Sequence, residues 1–171
     1  QAPVPCSLER ALDYDNDAVV HSFLDRYALD YEEAAELFHE TKRWLWLVAT
    51  QAAVESRGGP RVKLVIDGPL VMLDEMWHTF ILFTREYIQY CDDNYGVYLH
   101  HTPMTKKEKD AKLAWFKSAP EQMLAHEAEF LSGMYSFTYD LLGEETVRRW
   151  YEEYPVRYSG TRMSELARDS R

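Results

Sequence analysis

The chain has 171 residues, of which 46% are hydrophobic and 14% are aromatic. This length favours one domain that buries its own core without disulfides, so a metal ion would serve function rather than folding. The 29 acidic and 19 basic side chains leave a net charge of −10, which disfavours nucleic acid and anionic membranes as partners.

The two cysteines, Cys6 and Cys91, lack the paired spacing of a disulfide framework or a zinc knuckle, which favours a reducing cytoplasm. No apolar stretch reaches the roughly 20 residues that span a bilayer. We therefore expect a cytoplasmic protein that does not enter a membrane. The chain begins at Gln1 rather than at a methionine, which leaves open whether a signal was removed before it.

The first two predicted helices each begin at residues that commonly cap helices. Residues 13–17 precede a short helix, whose apolar positions repeat at helical spacing. Asp30 stands three residues before Glu33, which resembles a capping box at the start of a long second helix. Residues 56–60 end that helix.

A third predicted helix carries most of the side chains of chemical interest. Residues 61–66 before it have a short extended pattern, but a lone strand has no partner and forms no sheet. Pro69 fits the first turn of the helix, which runs to about Asn94 and is broken by Gly96. Residues 97–103 then form a loop.

The remaining helices are also predicted from caps and breakers. Thr105 with Glu108, and Ser118 with Glu121, repeat the capping-box spacing. The first of these helices reaches about residue 117 and the second ends near residue 143. A last helix covers residues 144–153 and is stopped by Pro155.

These elements predict an all-α protein. We expect a single-domain irregular bundle of five to six helices over residues 1–158. Residues 159–171 are expected to form a loosely ordered C-terminal tail.

Three of the six histidines lie within residues 73–103. At about 100° per residue, Asp74 and His78 share one stripe of the third helix, whereas Cys91 lies on the opposite, apolar face. Side chains four residues apart meet directly on a helix. Either both bind a metal, or Asp74 accepts a hydrogen bond from His78 and fixes its tautomer.

His100 and His101 follow the helix in a segment that Pro103 biases towards an extended conformation. Adjacent side chains of an extended chain point to opposite sides, so only one of this pair can readily face His78. Two histidines and one carboxylate would suit non-heme iron or zinc. The candidate ligands are therefore Asp74, Glu75, His78, His100 and His101, and the residues expected to support them or line the pocket are Trp77, Arg85 and Tyr87.

A different metal site is suggested by the Glu-x-x-His spacing of ferritin-like di-iron proteins. Glu75 and His78 have this spacing, and Glu36 and His39 repeat it on the second helix. No further pair of inward glutamates completes the set, so a mononuclear site remains the leading hypothesis.

The stretch around these histidines resembles a known family. Its matching residues are Asp74, Trp77, His78, Ile81, Leu82, Thr84, Tyr87, Cys91, Gly96, Leu99, His100, His101 and Pro103. This pattern is similar to bacterial proteins described as glycine-rich-domain-containing-protein-like. The resemblance implies that His78, His100 and His101 belong together. This chain has Phe80 where the family pattern often has a further histidine.

Two functions are compatible with these residues. The leading hypothesis is a metal-binding helical protein that holds iron or zinc, such as a mononuclear non-heme iron oxidative enzyme acting on a small molecule or peptide. The alternative is a non-catalytic helical protein that interacts with a protein partner. In that case the histidines and Asp74 form a structural polar network that pins the third helix to its loop. The sequence predicts no particular oligomeric state.

Overall fold

The computed structural model describes residues 1–169. These residues form helices and turns, and none of them forms a β-strand. A 3-10 turn, Gly68–Leu70, leads into α4, and a π-helical turn, Arg149–Glu153, joins α8 to α9. The all-α prediction is confirmed, whereas five to six helices is too few. The α-helical segments are α1 (Leu8–Leu12), α2 (Asp17–Arg26), α3 (Tyr31–Ser56), α4 (Val71–Leu82), α5 (Thr84–Tyr95), α6 (Lys106–Ser118), α7 (Pro120–Leu142), α8 (Glu144–Arg148), α9 (Tyr154–Arg157) and α10 (Gly160–Leu166).

The long helix α3 begins where its cap was predicted. The Asp30 carboxylate accepts a hydrogen bond from the backbone N–H of Glu33 at 2.8 Å, which satisfies a donor that the helix itself leaves free. Asn16 caps α2 in the same way through the N–H of Val19. Local hydrogen bonds therefore determine where α2 and α3 begin.

The core lies where α3 packs against α4, with α1 and α2 on its flanks. Large apolar side chains at helical spacing on α3 and α4 are fully or almost fully buried, and their removal from water is the main stabilising contribution. These side chains include Trp44, Leu45, Leu47, Leu73, Met76 and Phe80.

The predicted third helix is in fact two helices that meet at Phe83. This residue leaves the helical conformation (φ −83°, ψ 64°), and its N–H bonds to the carbonyl of Phe80, three residues back. The break lets Tyr87 and Tyr90 of α5 pack on the Phe80 ring, at centroid distances of 5.1 and 5.4 Å. Neither glycine nor proline marks this break, so the sequence pattern predicted a continuous helix.

The helices α6 and α7 form an antiparallel pair, here called the α6–α7 hairpin. The predicted capping box at Thr105 and Glu108 is present. The second predicted cap is wrong, because Ser118 is the last residue of α6 and its hydroxyl donates to the carbonyl of Trp115. No residue of α6 is buried, so α6 adds little to the core.

Pro155 does not stop the last predicted helix. The π-helical turn just before it widens the helix, so that the N–H of Tyr154 bonds to the carbonyl of Arg149, five residues back. A wider turn relieves the clash between a proline ring and the preceding turn. The helix therefore continues to Arg157.

The predicted C-terminal tail starts at residue 159, and its last two residues lie outside the described part of the chain. Within residues 159–169, the helix α10 ends at the buried Leu166, whose carbonyl accepts from the N–H of Ala28 at 2.8 Å. An isolated β-bridge pairs Tyr27 with Ala167. The division of the chain at residue 158 stays a prediction.

Residues 61–66 do not form a strand. None of the helices in the described residues combines the length and the apolar character that a bilayer crossing requires.

Candidate metal centre

Asp74 and His78 lie one turn apart on α4, as the helical spacing predicted. The distance from Asp74 Oδ1 to His78 Nε2 is 3.8 Å. His101 reaches the same carboxylate from the loop after α5, with 2.7 Å between its Nε2 and Asp74 Oδ1. The three donor atoms lie within 4.8 Å of one another, and this is the one such group found in residues 1–169.

Buried hydrogen bonds hold the loop that delivers His101. Gly96 ends α5 in the left-handed conformation (φ 63°), which glycine adopts without strain, and turns the chain back. The Tyr87 hydroxyl then donates to the carbonyl of Leu99 at 2.7 Å and accepts from the indole N–H of Trp77 at 2.9 Å. Trp77 and Tyr87 thus support the site without offering it a ligand atom.

The imidazole ring of His101 is sandwiched between two other rings. It stacks on the Trp77 indole at a centroid distance of 4.4 Å and on the His78 imidazole at 4.4 Å, with interplanar angles of 15° and 7°. Only 10% of the His101 side chain is exposed. The stack fixes the plane of the ring, so that Nε2 faces Asp74.

The Asp74 carboxylate is partly removed from water. Burial raises its pKa above the usual range, and the nearby His78 and His101 act in the opposite direction. A half-buried carboxylate needs a positive partner to remain charged at low cost. A metal ion or a protonated histidine would each supply one.

Glu75 lies beside these three residues, but its carboxylate is hydrogen-bonded to the C-terminal end of α2. Its Oε2 accepts from Arg26 at 2.5 Å and from the Tyr27 hydroxyl at 2.9 Å. Its Oε1 lies 3.8 Å from Nδ1 of His78. Glu75 can therefore orient the His78 ring while Nε2 of that ring faces Asp74.

Two other predicted site residues lie away from the group. His100 is exposed, and its ring packs edge-on against Tyr98 at 4.7 Å. Adjacent side chains point to opposite sides here, so His101 faces Asp74 and His100 does not. Arg85 is exposed on α5, beyond the break at Phe83 that rotates α5 away from the stripe of His78.

The second Glu-x-x-His pair does not join the first. Glu36 accepts a hydrogen bond from Arg157 at 2.9 Å and lies near Arg149, so it belongs to a separate ion-pair cluster. A ferritin-like pair of sites therefore has no support within residues 1–169.

Sequence reasoning missed a cleft of ≈ 700 Å³ next to the site. Asp74, Trp77 and His101 line one end of it. The remaining walls come from α3, residues 61–67, the loop at 100–104 and the first turn of α6. No local pattern signals such a cleft, because its walls are distant in sequence.

A family model described as UCP032817-like matches residues 25–127, which is more than half of the chain and includes all three donor residues. The expected membership of the glycine-rich-domain-containing-protein-like family is therefore wrong. The Trp-His and His-His motifs on which that resemblance depended are only two residues long each. No curated protein and no solved structure matches the chain.

Proposed function

The chain belongs to the UCP032817-like family, and we propose that its function depends on one divalent metal ion held by Asp74, His78 and His101. One observation carries the proposal: a carboxylate oxygen and two imidazole nitrogens converge within 4.8 Å. Their spacing in sequence does not require this convergence, because His101 comes from a separate loop.

The distances between the donor atoms are close to those that a shared ion needs. Ligand atoms at about 2.1 Å from one ion stand roughly 3 to 3.4 Å apart in octahedral or tetrahedral geometry. The separations from Asp74 Oδ1 are 2.7 Å to His101 and 3.8 Å to His78. A small rotation of the half-buried His78 side chain would shorten the longer separation, and a slight opening of the contact between Asp74 and His101 would bring all three atoms into range.

The chemistry of the donors favours iron or zinc. Two histidines and one carboxylate bind either metal and leave other coordination positions open. Bound iron would supply oxidative chemistry, and bound zinc would act as a Lewis acid. Of the chain's own groups, Glu75 would orient His78 through Nδ1, and the Trp77 stack would orient His101.

The open positions would face the cleft, since Asp74 and His101 line it. We therefore propose an enzyme that acts on a small molecule or peptide, with iron-dependent oxidation as the leading reaction class. The cytoplasm remains the predicted location.

The first experiment measures metal content. Protein freed of metal with a chelator is incubated with Fe²⁺ under anaerobic conditions or with Zn²⁺, desalted, and subjected to elemental analysis. We expect about one ion per chain in the wild type and in His100→Ala, and a large loss in His78→Ala and Asp74→Asn. His100→Ala is the matched control, because it removes an adjacent histidine outside the group.

The His78 variant tests binding without disturbing the fold. Its side chain is 41% exposed, so truncation to alanine should change stability by less than about 0.5 kcal/mol. Wild-type protein without bound metal would contradict the proposal. So would an equal loss of metal in His78→Ala and His100→Ala.

A second candidate function is favoured by the direct contact between His101 and Asp74. At 2.7 Å the two groups already satisfy each other, and the ring stack buries them against Trp77. The group would then be a structural polar network in a non-catalytic helical interaction protein. This function predicts no bound metal and a loss of about 1–3 kcal/mol of stability in Asp74→Asn.

A further inference from the structure

The helix α6 differs from the rest of the protein in charge. With Glu108 and Asp110 among its residues it still has a net charge of +3, so the remainder of the chain carries −13. Positive charge is therefore concentrated on one helix of an acidic protein. Five of the seven lysines in the chain lie within this helix: Lys106, Lys107, Lys109, Lys112 and Lys117.

Most of these lysines have no anionic partner. Lys112 pairs with Glu127 of α7, with 2.5 Å between Nζ and Oε1. Within residues 1–169, the other four lysines of α6 form no ion pair with a carboxylate, and all four are exposed. Their ammonium groups are thus free to pair with acidic groups of another molecule.

Apolar side chains accompany the lysines on one side of α6. At about 100° per residue, Lys106, Lys109, Leu113, Phe116 and Lys117 fall within a sector of roughly 100°, here called the basic face of α6. Leu113 is 51% exposed and Phe116 is 44% exposed. The two stand three residues apart, so their side chains are neighbours on the helix surface. The basic face therefore combines apolar contact area with positive charge.

The helix gains little stability from burial against the rest of the protein. None of its 13 residues is buried. Its main packing partner is α7, where the Trp115 and His126 rings lie 5.3 Å apart. A helix of about this length is only marginally stable by itself in water. A partner that covers Leu113 and Phe116 would supply the apolar burial that α6 lacks.

An acidic amphipathic helix has the properties that complement the basic face. Its carboxylates would pair with the free lysines, and its apolar stripe would pack on Leu113 and Phe116 at a distance of about 8–10 Å between helix axes. The 13 residues of α6 span about 20 Å. A partner helix of about the same length would therefore cover the whole face.

An anionic membrane complements the α6–α7 hairpin less well. The helix α7 contains four acidic side chains and no lysine or arginine. A planar anionic surface placed on α6 would also approach these carboxylates, one of which, Glu127, is close enough to pair with Lys112. A single helix, about 10 Å wide, can contact α6 alone.

We propose that the basic face of α6 binds an acidic amphipathic helix of a partner protein. The carboxylates of that helix accept hydrogen bonds from Lys106, Lys109 and Lys117, and its apolar side chains cover Leu113 and Phe116. This interaction goes beyond the proposed metal-dependent function and does not rest on it, because the three donor residues lie outside α6.

The test uses a defined probe, a fluorescein-labelled peptide of about 18 residues, long enough to span the face. It has leucine at every third or fourth position, glutamate beside the leucines and alanine elsewhere. Fluorescence anisotropy measures its binding to the full chain in the presence of chelator. We expect saturable binding that weakens about 10-fold when NaCl is raised from about 0.05 to 0.5 M, because salt screens the ion pairs.

A second peptide tests whether the apolar stripe is needed. It has the same composition, but its leucines are distributed around the helix. We expect it to bind at least about 10-fold more weakly, because fewer leucines can reach Leu113 and Phe116 together. Equal binding of the two peptides would show attraction by charge alone and would contradict the proposal.

Two pairs of substitutions test the two components of the face. Leu113→Ser with Phe116→Ser should weaken binding about 10- to 100-fold through lost apolar burial. Lys106→Gln with Lys117→Gln keeps both apolar side chains and should weaken binding about 3- to 10-fold at low salt. It should also reduce the dependence of binding on salt. The α6 amide resonances in NMR spectra show whether the helix is retained in each variant.

Matched control variants remove similar side chains from other surfaces. Val156 on α9 is 80% exposed, so Val156→Ser removes exposed apolar area away from α6. Arg85→Gln with Arg162→Gln removes two exposed cations from α5 and α10. Both controls should bind the first peptide as tightly as wild type does.

Four results would overturn the proposal. They are a lack of saturable peptide binding, an equal loss of binding in the α6 and control variants, binding to phosphatidylserine vesicles without binding to the peptide, and a dimer of the chain that dissociates in Leu113→Ser with Phe116→Ser. The vesicle result would assign the face to a membrane, and the dimer would assign it to a second copy. Absence of metal from the wild type would overturn the proposed function and leave this binding intact.

Discussion

The indole N–H of Trp77 donates to the hydroxyl of Tyr87 at 2.9 Å, although the two residues belong to different helices. On one straight helix they would be about 15 Å apart along the axis, so the bond depends on the bend between α4 and α5. Tyr87 also donates to the carbonyl of Leu99. A buried chain of two hydrogen bonds thus ties the loop of His101 to the helix of Asp74.

Removal of the Tyr87 hydroxyl should therefore loosen both the fold and the site. In Tyr87→Phe the Trp77 N–H and the Leu99 carbonyl are both left unpaired, and we expect a loss of about 2–4 kcal/mol in the free energy of unfolding. Urea denaturation measures it. Tyr139→Phe alters an exposed tyrosine and should stay within about 0.5 kcal/mol of wild type. Equal stability of the two variants would contradict this role of Tyr87.

Glu75 should affect metal binding without being a ligand. In Glu75→Gln the group facing Nδ1 of His78 loses its charge, and we expect metal affinity to fall about 10-fold, as for other groups that orient a ligand. The variant should still bind about one ion per chain at saturation. Loss of a metal ligand would instead lower the amount of metal bound at saturation. Titration with Zn²⁺ separates these outcomes. Glu86→Gln, an exposed change on α5, should bind like wild type.

Glu40 should be among the most sensitive positions for stability. It is fully buried and accepts hydrogen bonds from Arg149 and from the Trp150 indole, both at 2.8 Å. Glu40→Ala leaves these donors without a partner, and we expect a loss of about 3–5 kcal/mol. Thermal unfolding checks this. Glu32→Ala, in the exposed first turn of α3, should show a change several times smaller.

Alkaline pH should destabilise the protein through its buried tyrosines. Burial, with the nearby Glu75, raises the pKa of Tyr27 from 10 to about 12, and burial also raises the pKa of Tyr87 and Tyr90. Above pH 10 the unfolded chain gives up these protons first, so the folded state binds more protons and stability falls as pH rises.

The contribution of Tyr27 is complete below pH 10 and is lost, to the order of 2 kcal/mol, between pH 10 and 12. Urea denaturation at a series of pH values measures the decline, and ultraviolet absorbance reports phenolate formation. Tyr27→Phe should make the decline shallower. A free energy of unfolding that stays constant across this window would contradict the prediction.

Features set by neighbouring residues were predictable from the sequence. Asp30 and Thr105 cap their helices through side-chain bonds to an N–H three residues ahead, and Gly96 ends α5 because it alone adopts positive φ without strain. Asp74 and His78 share a face because four residues make about one turn. Each of these depends on no more than five consecutive residues.

Features set by tertiary packing were not predictable. The bend at Phe83 has no glycine or proline, and it is held by rings that pack across it. Pro155 stays within a helix because a π-helical turn precedes it. The extended pattern before Pro103 allowed one of two histidines at the site, but only the tertiary contacts with Asp74 and Trp77 show that it is His101.

The α6–α7 hairpin carries a kinetic consequence. Because α6 has no buried residue, it can detach from the rest of the protein at little cost in apolar burial, and its amides should exchange with solvent earlier than those of α3. Glu108 and Lys109, in its first turn, form one wall of the cleft. Local unfolding of α6 would remove this wall, so the cleft would be wider in the molecules in which this helix is open.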